Sequence, residues 1–338
     1  MTEIKLTLPD TSYTITIGQG ILRDARKYMD LDRRVFIITD SGVPKEYAKR
    51  IAECCRYSTI YTVDEGESAK SPEVLEGVLS AMLDYGITRT DCAIAVGGGV
   101  VGDLTGFAAA IYMRGIDFYN VPTTLLSQVD SSIGGKTAIN LRGVKNIVGA
   151  FHQPRAVLID TDTLKTLDDR QYSAGLAESV KMAATFDKEL FEFFENNDIN
   201  ESNIEHVIAR SLEIKRYVVE QDERESSLRK VLNFGHTLGH GIEAECELTG
   251  MYHGECVTLG MLPVSSEGVR ERLVAVLKKL GLPTEYKGNI GAALDTVRYD
   301  KKCEGKDISV ILCDEIGSYR IEKMSIIDFE DLVTEKMG

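Results

Sequence analysis

Three of the five histidines of the chain lie in the stretch 233-NFGHTLGHGIEAECELTGMYHGE-255. His236 and His240 are four residues apart, a spacing that places two imidazole rings on one face of a helix. A catalytic zinc ion usually has three protein ligands and keeps a fourth position open for water or substrate. A single histidine is more often packed or solvated than a ligand, but three clustered among glycines predict a metal site. Its ligands would be His236, His240 and His253, or two histidines with a carboxylate such as Glu178. Spacing alone favours the pair His236 and His240.

The glycine-rich segment 92-CAIAVGGGVVGDLTGFAAAI-111 suggests a second chemistry. Gly97, Gly99 and Gly102 fit G-x-G-x-x-G between a strand pattern and a helix pattern, which lets backbone N–H groups approach a pyrophosphate. A tight turn without a ligand is the alternative interpretation. Asp40 ends another strand pattern, where it is placed either to bind a ribose hydroxyl of a dinucleotide or to act as a turn or cap residue.

The segment from residue 114 to residue 146 is dense in groups that suit a phosphate or a carboxylate. Arg114, Lys136 and Lys145 are separated by glycines and hydroxyl residues, in what we interpret as a loop region. Most Lys and Arg side chains are simply solvated at a surface. In a chain of net charge −14, however, three cations in one such region predict an anion-binding pocket.

Composition narrows the class of protein. The excess of 53 acidic over 39 basic residues argues against a nucleic-acid or anionic-membrane partner, which would require a basic surface. Seven cysteines with no C-x-x-C spacing predict reduced thiols. The apolar stretch at residues 93 to 113 carries Asp103 and several glycines, so it is better explained as strand, turn and helix than as a membrane span. We therefore predict a cytoplasmic protein without a membrane segment or a signal peptide.

A chain of 338 residues exceeds the usual size of one hydrophobic core, which predicts two domains. Strand patterns occur at residues 4–8, 13–17, 34–39, 58–63, 92–96, 116–121 and 156–160, with helical patterns between them such as 71–86. This alternation predicts a Rossmann-like α/β domain with a mostly parallel sheet at residues 1–162. Long helical patterns, including 187–197 and 203–221, predict a mostly α-helical domain at residues 163–338. One strand-like run lies in this part of the chain, at 308–313.

Four motifs, VPTTLL, VDSSIGGKT, LNFGHTLGH and HGE, together resemble those of the 3-dehydroquinate synthase family, and the resemblance extends from about residue 34 to residue 305. It implies a cytoplasmic lyase of the shikimate pathway, a homodimer, that uses NAD and zinc, with cobalt as an alternative metal. Its partner would be a phosphorylated keto-acid sugar, 3-deoxy-D-arabino-heptulosonate 7-phosphate, converted to 3-dehydroquinate and phosphate. The implied steps are transient oxidation by NAD, phosphate elimination, re-reduction, ring opening and intramolecular aldol closure.

Three other functions stay open at this point. Another sugar-phosphate cyclase would act on a different phosphate, a metal-dependent polyol dehydrogenase would release NADH, and a non-catalytic protein would only bind NAD and zinc. The many cations among the motif residues disfavour a neutral polyol. The full set of polar motif residues disfavours a purely binding role.

The resemblance implies a different ligand set from the one that spacing favours: Glu178, His236 and His253 hold the metal. The implied catalytic residues are Lys136, Lys181, Arg229, Asn233 and His240, and the implied substrate contacts are Arg114, Asn146, Lys215 and a lysine of the DKK motif, Lys301 or Lys302. The implied NAD contacts are Asp40, Glu67, Lys70, Gly98, Gly99, Val100, Asp103, Thr123, Thr124, Asp130, Lys145, Thr166 and Leu167. Gly42 departs from the family pattern, in which we expect Asn. We expect His152 and His206 to be structural or solvated.

Overall fold

A computed structural model describes residues 1–245, 250–301 and 307–337. The chain divides into two compact units, one of Met1–Leu167 with Lys215–Glu223 and one of Asp168–Ile214 with Arg224–Gly338. Within the described ranges, no helix combines the length and the apolar character that crossing a bilayer needs.

The strands are β1 (Thr2–Thr7), β2 (Ser12–Gly18), β3 (Arg34–Asp40), β4 (Tyr57–Val63), β5 (Cys92–Gly97), β6 (Asp117–Pro122), β7 (Lys136–Leu141), β8 (Val144–Phe151), β9 (Ala156–Asp160), β10 (Asp307–Leu312) and β11 (Arg320–Ser325). The α-helices are α1 (Lys45–Cys54), α2 (Pro72–Asp84), α3 (Gly99–Ile111), α4 (Asp169–Phe186), α5 (Lys188–Asn196), α6 (Ile204–Gln221), α7 (His236–Glu245), α8 (His253–Met261), α9 (Glu267–Lys279), α10 (Ile290–Lys301) and α11 (Ile326–Met337). Short 3₁₀ helices cover Ile21–Lys27, Glu67–Ala69, Tyr112–Arg114, Thr161–Thr166 and Leu228–Asn233, and Ser127–Ser131 is a π-helical turn.

The first unit is built on a sheet in the order β1-β2-β9-β6-β5-β3-β4, in which β1 is antiparallel to β2 and the other pairs are parallel. Both faces of the sheet are covered. Val35 and Ile37 of β3 pack into one core with α1, whereas Phe36 and Ile38 pack into a second core with α2 and α3. This two-sided burial explains why the central strands are almost continuously apolar. The seven strand runs predicted for this half, and the fold class, are confirmed.

The direction in which the chain adds successive strands to the sheet reverses between the neighbouring strands β3 and β5. From β3 the chain crosses to β4 on one side, and from β5 it crosses to β6 on the other. Such a switch point leaves a crevice beyond the carboxyl ends of the two strands, which is where open α/β sheets bind their ligands. Asp40 ends β3 and Gly97 ends β5, so the two features predicted to bind a dinucleotide lie at this edge.

The prediction of a loop around Lys136 and Lys145 was wrong. Lys136 begins β7 and Lys145 lies in β8, and the two strands form a separate antiparallel hairpin. A two-residue turn with positive φ at both Arg142 (51°) and Gly143 (80°) joins the strands. Turns of this kind normally place Asn or Asp before Gly, so an Arg-Gly pair gave little sequence signal for a hairpin.

The second unit is mostly helical, as predicted. The helices expected at residues 187–197 and 203–221 occur as α5 and α6, and the strand expected at 308–313 occurs as β10. Its antiparallel partner β11 was missed, because the segment RIEKMS has too little apolar alternation to resemble a strand.

Candidate active site

The four possible metal ligands lie together in the second unit. Glu178 is in α4, His236 begins α7, His240 follows one turn later, and His253 begins α8. Ligand atoms of the three histidines lie within 4.8 Å of one another. Glu178 Oε1 lies 3.8 Å from His236 Nε2 and 3.8 Å from His253 Nε2. The structure therefore brings both candidate ligand sets to one place.

Glycines allow the helices to come this close. A Cβ atom on Gly254, next to His253, would lie 2.0 Å from the carbonyl oxygen of Ala174 in α4. A Cβ atom on Gly260 would lie 1.9 Å from the carbonyl oxygen of Gly235, the residue before His236. The glycines that surround the histidines in the sequence thus serve helix packing, which sets the spacing of the candidate ligands.

Glu178 fits a cation. Its carboxylate is only 1% exposed, and Lys181 Nζ contacts its Oε2 atom. Its Oε1 atom is buried and has no hydrogen-bond partner among the described residues, a costly state for a charged oxygen. In a tetrahedral zinc site with bonds of about 2.1 Å, ligand atoms lie about 3.4 Å apart. The observed 3.8 Å separations from the two imidazoles are close to that value.

The rings of His236 and His253 both point their Nε2 atoms toward Glu178. His236 Nδ1 lies 3.2 Å from the carbonyl oxygen of Phe234, and His253 Nδ1 lies 3.0 Å from Glu243 Oε2. Both partners can only accept a hydrogen bond, so each Nδ1 carries the hydrogen and each Nε2 offers its lone pair when the ring is neutral.

The pKa values of the two rings shift in opposite directions. Burial, with the nearby Lys181 charge and the other two histidines, lowers the pKa of His236 well below its ordinary value. His236 is therefore neutral at physiological pH, as a metal ligand must be. Burial also acts to lower the pKa of His253, but the hydrogen bond to Glu243 and the charge of Glu178 raise it overall.

The other predicted residues of this unit are spread over several elements. Lys181 and Arg229 are buried, at 2% and 3% exposure. Asn233 Nδ2 donates to Glu225 Oε1 at 2.8 Å, and His240 is exposed. Of the two DKK lysines, Lys301 ends α10 and Lys302 lies outside the described residues.

In the first unit, the glycine turn has the expected strand-to-helix form. Gly98 caps α3, which begins at Gly99, and Val100 is the second helical residue. A Cβ atom on Gly97 would lie 2.6 Å from Val101 Cγ2, and one on Gly98 would lie 3.1 Å from Thr124 Cγ2. Thr123 N donates to the carbonyl oxygen of Gly97 at 3.0 Å, which joins the ends of β5 and β6.

Asp40 acts as a turn residue, which was the alternative to ribose binding in the sequence analysis. Its Oδ1 atom accepts hydrogen bonds from the backbone N–H groups of Gly42 at 2.9 Å and Val43 at 3.0 Å. Burial raises the pKa of Asp40, and these two bonds oppose that effect. A contact with ribose stays a prediction.

Four predicted cofactor and substrate residues form one network around Lys70, which is 4% exposed. Lys70 Nζ donates to Asp103 Oδ2 at 2.7 Å, contacts Asn146 Oδ1, and lies 3.6 Å from Glu67 Oε1. Burial raises the pKa of Asp103, and the Lys70 charge acts against it. Asn140, which the sequence did not single out, joins the network by donating to Glu67 Oε1 at 2.8 Å.

The remaining predicted residues of this unit have other surroundings. Lys215 Nζ donates to the carbonyl oxygen of Asp130 at 2.6 Å and lies 2.8 Å from its Oδ1 atom. Thr166 Oγ1 lies 2.8 Å from Tyr47 Oη, and Leu167 follows it at the end of the unit. Arg114, Lys136 and Lys145 are exposed.

One arrangement near the histidines was missed from the sequence. Arg170 of α4 donates to both carboxylate oxygens of Glu255, at 2.6 and 2.7 Å, and Glu255 Oε2 accepts from Tyr252 N at 2.8 Å. These bonds hold the first turn of α8, which contains His253, against α4. Glu255 occupies the third position of a capping box, but the cap is Tyr252 rather than Ser or Thr, so the usual signal was incomplete.

The remaining two histidines lie outside this cluster, and each contacts an aromatic ring. His152 Nε2 lies 2.9 Å from the carbonyl oxygen of Ile116, and its ring stacks on Phe118 with centroids 5.4 Å apart. His206 packs against the ring of Phe193 at 4.9 Å.

Comparison with known proteins places the chain in a family. Residues 60–174 match the 3-dehydroquinate synthase N-terminal family and residues 175–303 match the 3-dehydroquinate synthase C-terminal family. A 3-dehydroquinate synthase of Sulfurovum sp. is 40% identical over 325 residues, covering 92% of this chain and 93% of the relative.

Two solved structures share the whole fold. A 2-deoxy-scyllo-inosose synthase complexed with carbaglucose-6-phosphate, NAD+ and Co2+ is 25% identical, with a TM-score of 0.89 over 99% of this chain and 100% of its own. A 2-epi-5-epi-valiolone synthase from Streptomyces hygroscopicus with NAD+ and Zn2+ is 26% identical, with a TM-score of 0.86 over 97% and 98%. Because both family models match and the Sulfurovum synthase is 40% identical over most of the chain, the chain belongs to the 3-dehydroquinate synthase family.

Proposed function

We propose that the protein converts 3-deoxy-D-arabino-heptulosonate 7-phosphate to 3-dehydroquinate and phosphate, with NAD and a zinc ion as cofactors and cobalt as an alternative metal. The NAD-binding domain would comprise residues 1–162 and the metal- and substrate-binding domain residues 163–338. Curated relatives at about 40% identity carry the synthase name. The observation that carries the proposal is the buried Glu178 Oε1 atom, which faces two imidazole nitrogens at equal distances.

The metal ligands we propose are Glu178, His236 and His253. Lys181 holds one carboxylate oxygen of Glu178, so only Oε1 is presented to a cation. His240 lies in the same cluster, but its side chain is exposed, which suits contact with a substrate. A zinc ion bound by three protein ligands supplies a Lewis acid that lowers the pKa of a coordinated substrate hydroxyl.

The remaining polar residues would bind and orient the substrate. Arg and Lys side chains bind phosphate and carboxylate groups strongly, which suits Arg114, Lys136 and Arg229 in a chain whose overall charge would repel an anion. Fixing one pose through several steps is the main contribution that such residues make. NAD supplies a reversible hydride acceptor, so the net conversion leaves it unchanged.

The residues proposed to bind NAD would lie at the switch point of the sheet. Gly98 and Gly99 present backbone N–H groups at the start of α3, a position that favours a pyrophosphate. Asp40 would bind the ribose through hydrogen bonds. We also propose a homodimer in the cytoplasm, on the basis of the family resemblance and of cysteines that are free throughout the described residues.

The test is phosphate release from 3-deoxy-D-arabino-heptulosonate 7-phosphate with zinc and a catalytic amount of NAD, while nicotinamide absorbance is followed. Many turnovers per NAD without accumulation of NADH are expected. Glucose 6-phosphate, which lacks a carboxylate, and glycerol serve as control substrates. Phosphate release from glucose 6-phosphate alone would support another sugar-phosphate cyclase, and NADH formation from glycerol would support a polyol dehydrogenase.

The ligand set has its own test in the same protein. Alanine in place of Glu178, His236 or His253 should remove zinc and activity together, whereas His240→Ala should keep zinc and lose turnover. Normal zinc content in the first three variants would overturn this ligand set. Loss of zinc in His240→Ala, with normal zinc content in Glu178→Ala, would replace it with the three histidines.

A further inference from the structure

We infer that Glu243 is a positioning residue for metal binding, and that it acts by holding His253 in the form that ligates through Nε2. This inference rests on the metal site of the proposed function. Glu243 lies in α7 and His253 begins α8, so their contact of 3.0 Å between Oε2 and Nδ1 joins the two histidine-bearing helices. Neither the spacing of the histidines nor the family motifs single out Glu243.

The chemistry requires such a partner. A neutral imidazole carries its hydrogen on either nitrogen, and only the other nitrogen can bind a metal. Because an ionised carboxylate only accepts hydrogen bonds, Glu243 selects the tautomer with hydrogen on Nδ1. His253 Nε2 then presents its lone pair toward Glu178 Oε1, 3.8 Å away. A carboxylate in this position also raises the basicity of the ligand nitrogen.

His253 needs this support more than His236 does. The His236 side chain is 12% exposed and its Nδ1 atom is held by a backbone carbonyl of its own segment, that of Phe234. The His253 side chain is 30% exposed, so packing restricts its ring less. Glu243 lies seven residues after His236 on α7, which returns it to the same side of the helix and within reach of His253.

The experiment measures the zinc dissociation constant of the metal-free, full-length protein by competition with chelators. Glu243→Ala removes the acceptor and should weaken zinc binding about 10- to 100-fold, and Glu243→Gln, which keeps a neutral acceptor, should lose less. The matched control is Glu245→Gln on the same helix, whose carboxylate contacts the Tyr286 hydroxyl instead of a histidine. It should bind zinc within about twofold of the wild type.

A double-mutant cycle separates positioning from general damage. If Glu243 acts through His253, adding Glu243→Ala to His253→Ala should change zinc affinity less than about twofold. An equal loss in both backgrounds, or a Glu243→Ala protein with wild-type affinity, would overturn the inference. The zinc titration contains no substrate, so its result does not depend on the reaction. If zinc binding depends on Glu243 but the protein releases no phosphate in the activity test, the inference stands and only the proposed reaction is rejected. A wild-type protein that binds no zinc would overturn both.

Discussion

Gly254 lies at a close contact between α8 and α4, the helices that carry His253 and Glu178, so Gly254→Ala perturbs the candidate metal centre directly. The added Cβ atom would lie 2.0 Å from the carbonyl oxygen of Ala174 and 2.8 Å from its carbonyl carbon. Real Cβ atoms essentially never approach within 3.0 Å of another atom, so the first turn of α8 must move away from α4 by about 1 Å. Both contacting atoms belong to the helix backbone and cannot rotate aside.

This displacement acts directly on the proposed ligands. His253 precedes Gly254, and Glu178 lies one turn after Ala174 on α4. Metal–ligand distances tolerate deviations of about 0.2 Å, so a separation of about 1 Å is several times too large. We expect zinc affinity to fall by more than about 100-fold, beyond the usual effect of losing a supporting hydrogen bond. The overpacked contact should also cost about 1–3 kcal/mol in the free energy of unfolding.

Zinc affinity is measured by chelator competition, and stability by urea unfolding of the metal-free protein. The control is Gly268→Ala in α9, where an added Cβ atom meets nothing within 4 Å. That variant should keep zinc affinity and gain about 0.4–1 kcal/mol, because Ala reduces the entropy of the unfolded chain. If Gly254→Ala binds zinc within about threefold of the wild type, the close approach of α4 and α8 does not set the spacing of the ligands.

Two further predictions concern ion pairing and pH. Arg170→Ala should lower the free energy of unfolding in urea by about 1 kcal/mol, because a partly exposed bidentate ion pair with Glu255 is lost. Arg170→Lys should not restore that stability, since a single ammonium group cannot form both hydrogen bonds of the guanidinium. Full recovery of stability in the Lys variant would contradict this. Burial lowers the pKa of His152, so the unfolded chain binds more protons, and stability should fall as the pH drops from about 6.5 toward the lowered value. Between about pH 7.5 and about pH 5.5, the free energy of unfolding should fall less in His152→Gln than in the wild type. An identical fall in the two proteins would show that protonation of His152 does not cause the loss of stability.

The sequence predicted the central sheet well because each strand there is buried on both faces. A run such as RVFIIT has no polar face, and its residues fill two cores at once. The hairpin of β7 and β8 was missed for the opposite reason. Its second strand, β8, is largely exposed, and its turn places Arg142 in a left-handed conformation that usually calls for Asn or Gly.

The candidate metal site could be predicted in part from local spacing. The four-residue interval of His236 and His240 does bring their rings together, with centroids 5.3 Å apart. Spacing within one helix cannot reveal a carboxylate on another, however, so the residues alone left Glu178 as one alternative and only the family resemblance favoured it. Glu243 lacked a signal for the same reason, because its partner His253 lies on the next helix and only tertiary packing brings the two together.

Glycine density is a weak guide to ligand sites in this chain, and the atoms around each glycine explain why. In the glycine turn between β5 and α3, Cβ atoms on Gly97 and Gly98 would meet the side chains of Val101 and Thr124. Near the histidines, a Cβ atom on Gly254 would meet the helix backbone. Side chains can change rotamer to accept a methyl group, whereas a helix backbone can only move as a whole. The same sequence signal therefore marks a replaceable contact in one place and a fixed distance between helices that carry candidate metal ligands in the other.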